Sequence, residues 1–160
     1  MRELRTRKRN RLEGYDYSRS GSYFITICVK DGHEMLAEIA VGDAPLRVPH
    51  HTLSDYGTFV DAQIRKVSVK YPDVVVDNYV IMPNHIHMIV TVDGTRGGAS
   101  PTKATIPRVV QSLKSITTKQ FGFNLWQRSY HDHIVRDRDE FNRISEYIDS
   151  NPMCWKDDCF

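Results

Sequence analysis

Apolar and polar positions along this chain change in short runs, separated by turn-forming residues. Ser22 to Val29 (Ser-Tyr-Phe-Ile-Thr-Ile-Cys-Val) is rich in aromatic and β-branched residues and predicts a buried strand. Asp31-Gly32 is a turn signal, after which His33 to Ile39 is expected to return as the second strand of a hairpin. Val41 to His51, with Gly42, Pro45 and Pro49, predicts a loop. Thr52 or Ser54 can cap a helix reaching about Lys70, with Tyr56, Phe59, Val60, Ile64 and Val67 at helical spacing. Tyr71-Pro72-Asp73 ends it. Val74 to Ile81 and His85 to Val92 predict two strands joined by a turn at Met82-Pro83-Asn84. Asp93 to Lys103, with Gly94, Gly97, Gly98 and Pro101, predicts a second loop. Pro107 suits the first turn of a helix over Arg108 to roughly Gln120. Leu125 to Val135 predicts a further strand, and Asp137 or Asp139 a cap for a last helix through Ile148, ended by Asn151-Pro152.

Pairs of strands broken by helices argue for an α+β fold, an antiparallel sheet with helices on one face, and a ferredoxin-like sheet fits that order. A chain of 160 residues, 40% hydrophobic and 26% charged, fits one soluble domain. No apolar run approaches the roughly 20 residues of a membrane span, and the basic N-terminus is not followed by the apolar segment of a secretory signal. A cytoplasmic location, nucleoid-associated when bound to DNA, is expected, with no membrane partner. Cys28, Cys154 and Cys159 are scattered and odd in number, the pattern of free thiols. The spacing of Cys154 and Cys159 does not match a zinc knuckle.

A net charge of +2 says less than its distribution. Arg2, Arg5, Arg7, Lys8, Arg9 and Arg11 crowd the N-terminus against a single early acid, Glu3. Such an arm binds phosphate backbones with release of counterions, although a solvated tail has the same composition. The expected division is a basic arm over residues 1–20, a catalytic domain over 21–152 and a tail over 153–160.

Residues two apart on a strand share a face, so His85 and His87 project side by side and can chelate one cation. Ile89 lies on that same face, which is therefore partly buried. Two hydrogen-bonded strand histidines are the plain alternative. His131-Asp132-His133 repeats the spacing, so spacing alone does not choose between the pairs. In the last helix Tyr147 and Asn151 are four apart and share a face. Singly, they are an ordinary helix tyrosine and an ordinary residue before proline.

Four ordered motifs narrow these alternatives: Tyr79-Val80-Ile81-Met82-Pro83-Asn84-His85-Ile86-His87, then Gln111-Ser112-Leu113-Lys114, then Trp126 to Arg136, then Tyr147-Ile148-Asp149-Ser150-Asn151-Pro152. From about Tyr23 to Pro152 the chain resembles the single-tyrosine HUH transposases, most nearly the branch associated with repetitive extragenic palindromes (REP). The resemblance implies a ferredoxin-like domain in which His85, His87 and Asn151 hold a divalent ion, Mg²⁺ or Mn²⁺, and Tyr147 is the nucleophile. It implies cleavage of single-stranded or hairpin DNA through a covalent 5′-phosphotyrosine, by a monomer or a homodimer. A phenolate is both nucleophile and leaving group, so a phosphodiester cut this way can be rejoined. Magnesium prefers oxygen ligands, whereas manganese accepts imidazole more readily. Arg5, Arg7, Lys8, Arg9, Arg11, Lys114, Arg128 and Arg136 are candidates to hold DNA, and Trp126 could stack on a base or belong to the core. Two other functions fit the same residues. One is a catalytically inactive DNA-binding domain of this fold, and the other is a metal-dependent phosphoesterase that uses water.

Overall fold

The computed structural model describes residues 19–41, 49–94 and 105–157. Four strands form the main sheet: β1 (Gly21–Cys28), β4 (Val74–Ile81), β5 (His85–Val92) and β6 (His131–Val135). Their order is β4-β5-β1-β6, every neighbour antiparallel. With α1 (Asp55–Arg65) after β1 and α3 (Ile106–Phe121) after β5, this is the ferredoxin-like α+β arrangement. Capping sets the helix starts. Ser54 Oγ accepts from the Gly57 amide at 3.1 Å, and Asp137 Oδ1 from the Glu140 amide at 2.8 Å. Thr105 caps α3 with Pro107 in its first turn, and Gly122, at φ 75°, closes it in the left-handed conformation.

Alternation divides the sheet into two faces. Tyr23, Ile25 and Ile27 of β1 and Ile86, Met88 and Val90 of β5 join Val60 and Ile64 of α1 and Val109, Val110 and Leu113 of α3 in the core. Each such side chain contributes about 1.5–3 kcal/mol on burial, so this layer carries most of the stability. Trp126 belongs to it, fully buried, with Nε1 donating to Thr117 Oγ1 at 2.7 Å. It offers no face to a base.

Five expectations are corrected. The residues after Gly32 do not return beside β1, because β5 and β6 occupy both of its edges. Instead β2 (Ala37–Val41) pairs with β3 (Pro49–Leu53) in a separate ribbon, so the end of the predicted loop is strand. The predicted helix to Lys70 breaks at Lys66 into α1 and α2 (Val67–Lys70), and the strand predicted from Leu125 shrinks to β6 plus one bridge between Trp126 and Val29. Finally, the helices are not all on one face. The last helix, α4 (Arg138–Ser150), lies against β4 and β5. It covers the face opposite the core, where the odd-numbered residues of β5 point. The basic arm (Arg2 to Arg11) and most of the Asp93 to Lys103 loop lie outside the described residues.

Candidate active site

The face covered by α4 holds the histidines. β5 enters the sheet between β4 and β1, and both His85 and His87 are almost wholly buried. Their Nε2 atoms approach to 3.1 Å. The other ring nitrogens are held from outside: His85 Nδ1 lies 2.7 Å from Asn84 Oδ1 and His87 Nδ1 lies 2.8 Å from Thr26 Oγ1. With each Nδ1 donating to its oxygen, both Nε2 lone pairs converge on one point. Burial, reinforced by the neighbouring His85, lowers the His87 pKa to about 3, so the ring is neutral at pH 7. Neutral imidazole is the metal-binding form.

Tyr147 comes to this pair from α4. Its hydroxyl lies 3.4 Å from His87 Nε2, and its ring meets His87 at 5.4 Å and the edge of Phe24 at 6.2 Å between centroids. It nevertheless remains 39% exposed, open to a large substrate. All of these contacts lie within one chain.

One turn on, Asn151 is 1% exposed, and neither its amide nitrogen nor its amide oxygen has a hydrogen-bond partner. Buried polar atoms without partners are costly and call for an explanation. The 3-10 turn that Asn151 opens (Asn151–Asp157) also carries Trp155, whose ring is 6.1 Å from that of His85. That turn therefore lies alongside the histidine pair. The donor set fits a divalent cation. Two ligand atoms about 2.1 Å from an ion and at right angles to each other are about 3.0 Å apart, close to the observed separation. Among the described residues no three His, Cys, Asp or Glu side chains form a metal-sized group; an amide oxygen is a donor of the kind that hard cations accept.

The duplicate pair is placed differently. His131 and His133 pair with Thr26 and Phe24 across β1, two strands from β5, and both are exposed. His133 Nε2 is tied to Glu140 Oε1 at 2.7 Å, at the start of α4. Of the residues expected to contact DNA, Arg128 and Arg136 are exposed. Lys114 is engaged inside the molecule. It donates to the carbonyls of Gln127 and Ser129 at 2.8 and 2.7 Å, and burial pulls its pKa down to about 8. It pins the segment before β6 from a half-buried position. Arg5, Arg7, Lys8, Arg9 and Arg11 lie outside the described residues. Thr26, Phe24 and Asn84 were missed as site residues, because only the register of β1 on β5 shows that Thr26 faces His87. Asn84, next to His85 in sequence, was the one with a visible signal.

The fold is shared with a tyrosine transposase of known structure. The structure of the REP-associated tyrosine transposase bound to a REP hairpin matches it with a TM-score of 0.62, covering 96% of this chain and 73% of that one at 20% identity. The chain belongs to the same family as a protein of Haemophilus influenzae, itself uncharacterized, to which it is 31% identical over 95% of its own length and 91% of the relative's. No family model matches the sequence.

Proposed function

We propose that the chain is a metal-dependent single-tyrosine DNA transposase, which cuts single-stranded or hairpin DNA through a covalent 5′-phosphotyrosine intermediate. The observation that carries this reading is a partly exposed tyrosine whose hydroxyl lies 3.4 Å from one of two convergent imidazole nitrogens. A fold shared with a transposase bound to a REP hairpin supports the choice of substrate. A duplex hides its bases in the stack, so a single strand, or the unpaired loop or flank of a hairpin, is the form whose bases around the cut can be read.

The Tyr147 oxygen attacks the scissile phosphorus. A bond from phosphorus to the tyrosine oxygen forms as the bond from phosphorus to the 3′ oxygen breaks. The phenolic proton passes to solvent and the departing oxygen takes one up, leaving a free 3′ hydroxyl. A hydroxyl attacking the phosphotyrosine reverses these steps and joins a strand, so no external energy is needed. His85, His87 and Asn151 would hold the cation, Mg²⁺ or Mn²⁺, which polarises the phosphate and offsets charge on its oxygens. Thr26 and Asn84 fix the imidazole rings, and Phe24 restrains the tyrosine ring. Arg128 and Arg136 are free to meet phosphates at the surface.

The test is incubation of the chain with palindromic hairpin DNA labelled downstream of the cut. A labelled protein band that survives SDS, requires Mn²⁺ and disappears with chelator is expected. DNA binding without any such band on every palindrome tried would favour the inactive binding domain.

A further inference from the structure

The helix that carries Tyr147 has little apolar hold on the sheet: Ile148 alone among its residues is fully buried. A polar contact on β4 makes up the difference. Asn78 Nδ2 donates to Ser145 Oγ at 2.8 Å and to Asp149 Oδ1 at 2.9 Å, using both of its hydrogens. Ser145 and Asp149 are one turn apart and flank Tyr147 in sequence.

Asn78 reaches them only because β4 is bulged. Val74 and Val76 pair with Val92 and Val90 and face the core; by simple alternation Asn78 would follow them. The register shifts between Val76 and Asn78, so Asn78 pairs with Ile89 and turns to the face under α4. A bulge that re-aims one side chain toward a site is a recurrent device.

We infer that Asn78 is a positioning residue, whose grip on Ser145 and Asp149 fixes the roll of α4 and so the place of the Tyr147 hydroxyl. This rests on the proposed role of Tyr147. The helix is held at Asn78 from β4, through the Tyr147 ring by Phe24 and His87, and at its first turn by His133 of β6 on Glu140; of these, the β4 contact is the polar one beside Tyr147. With the β4 grip gone, a roll of about 10° moves an atom about 6 Å from the helix axis by about 1 Å. Misplacement on that scale costs up to about a hundredfold in rate.

Asn78→Ala is expected to melt within a few degrees of wild type and to bind hairpin DNA within about twofold. It should form the covalent adduct about ten- to a hundredfold more slowly at saturating DNA. Asn78→Asp alone should be as slow, because it sets two carboxylates together. Adding Asp149→Asn restores a donor and an acceptor and should recover most of the rate, which loss of folded protein would not. A wild-type rate in Asn78→Ala, or no recovery in the exchanged pair, overturns the inference. Fluorotyrosine placed at position 147 separates the two readings: its ¹⁹F resonance should shift or broaden in Asn78→Ala and return in the exchanged pair. If wild type forms no adduct at all, the transposase reading fails. The resonance then decides the positioning claim alone, and an unchanged line refutes it.

Discussion

Tyr147→Phe is expected to bind hairpin DNA as wild type does and to form no covalent adduct. The substitution keeps the ring, and with it the edge contact to Phe24 and the packing on His87. What goes is one oxygen whose contact with His87 Nε2, at 3.4 Å, is long for a hydrogen bond and worth at most about 1 kcal/mol. The side chain is also partly open to solvent, which limits the cost of removing its hydroxyl. Folding and binding should therefore survive, while the atom that would bond to phosphorus is missing. The loss should be complete, because the covalent bond to phosphorus is made by that oxygen. A phosphoesterase that activates water at the same histidines would keep cutting in this variant. Persistent strand cleavage by Tyr147→Phe on a sequencing gel would replace the covalent mechanism with that one.

The second large effect concerns the histidines. His85→Ala or His87→Ala should weaken Mn²⁺ binding by about a hundredfold or more, about 2.7 kcal/mol, whereas His131→Ala should change it little. The ranking follows from placement. The Nε2 atoms of His85 and His87 converge at 3.1 Å with both Nδ1 atoms anchored, so each ring is oriented before an ion arrives. His131 stands exposed on the far side of β1, and its neighbour His133 is engaged by Glu140. Isothermal calorimetry on the three variants decides it. If His131→Ala proved the most damaging, the metal would belong to the β6 pair.

These expectations were legible in the sequence to unequal degrees. β4 and β5 run as their residues predicted, because two eight-residue stretches rich in β-branched residues around a Met-Pro-Asn turn leave little freedom. Helix starts followed their caps, Ser54 and Asp137. Pairing was less legible: Asp31-Gly32 does turn the chain, both with positive φ, yet turn chemistry cannot tell that both edges of β1 are taken. The placement of α4 was hidden for a related reason. Its own apolar content is slight, and the demand for a cover comes from β5, where Ile89 and both histidines are buried on the face away from the core. The part played by Asn78 was invisible, since parity along β4 assigns it to the wrong face until the bulge is seen. For Lys114 the charge suggested a surface role, while its bonds to two carbonyls of the segment before β6 were not legible in the sequence.

Asn151 has a further consequence, for stability. An amide buried with neither atom partnered costs the fold about 1–3 kcal/mol. Asn151→Leu, close in size, should therefore raise the melting temperature by several degrees, since about 1 kcal/mol moves a chain of this size by about 2–4 °C. Wild type should gain heat resistance when Mn²⁺ is added, and the leucine variant should not. A variant no more stable than wild type, yet still stabilised by the ion, would show that the amide is not waiting for a ligand. On this account the protein tolerates a soft spot in its resting form, a trade of robustness for readiness at the end of the helix that carries Tyr147.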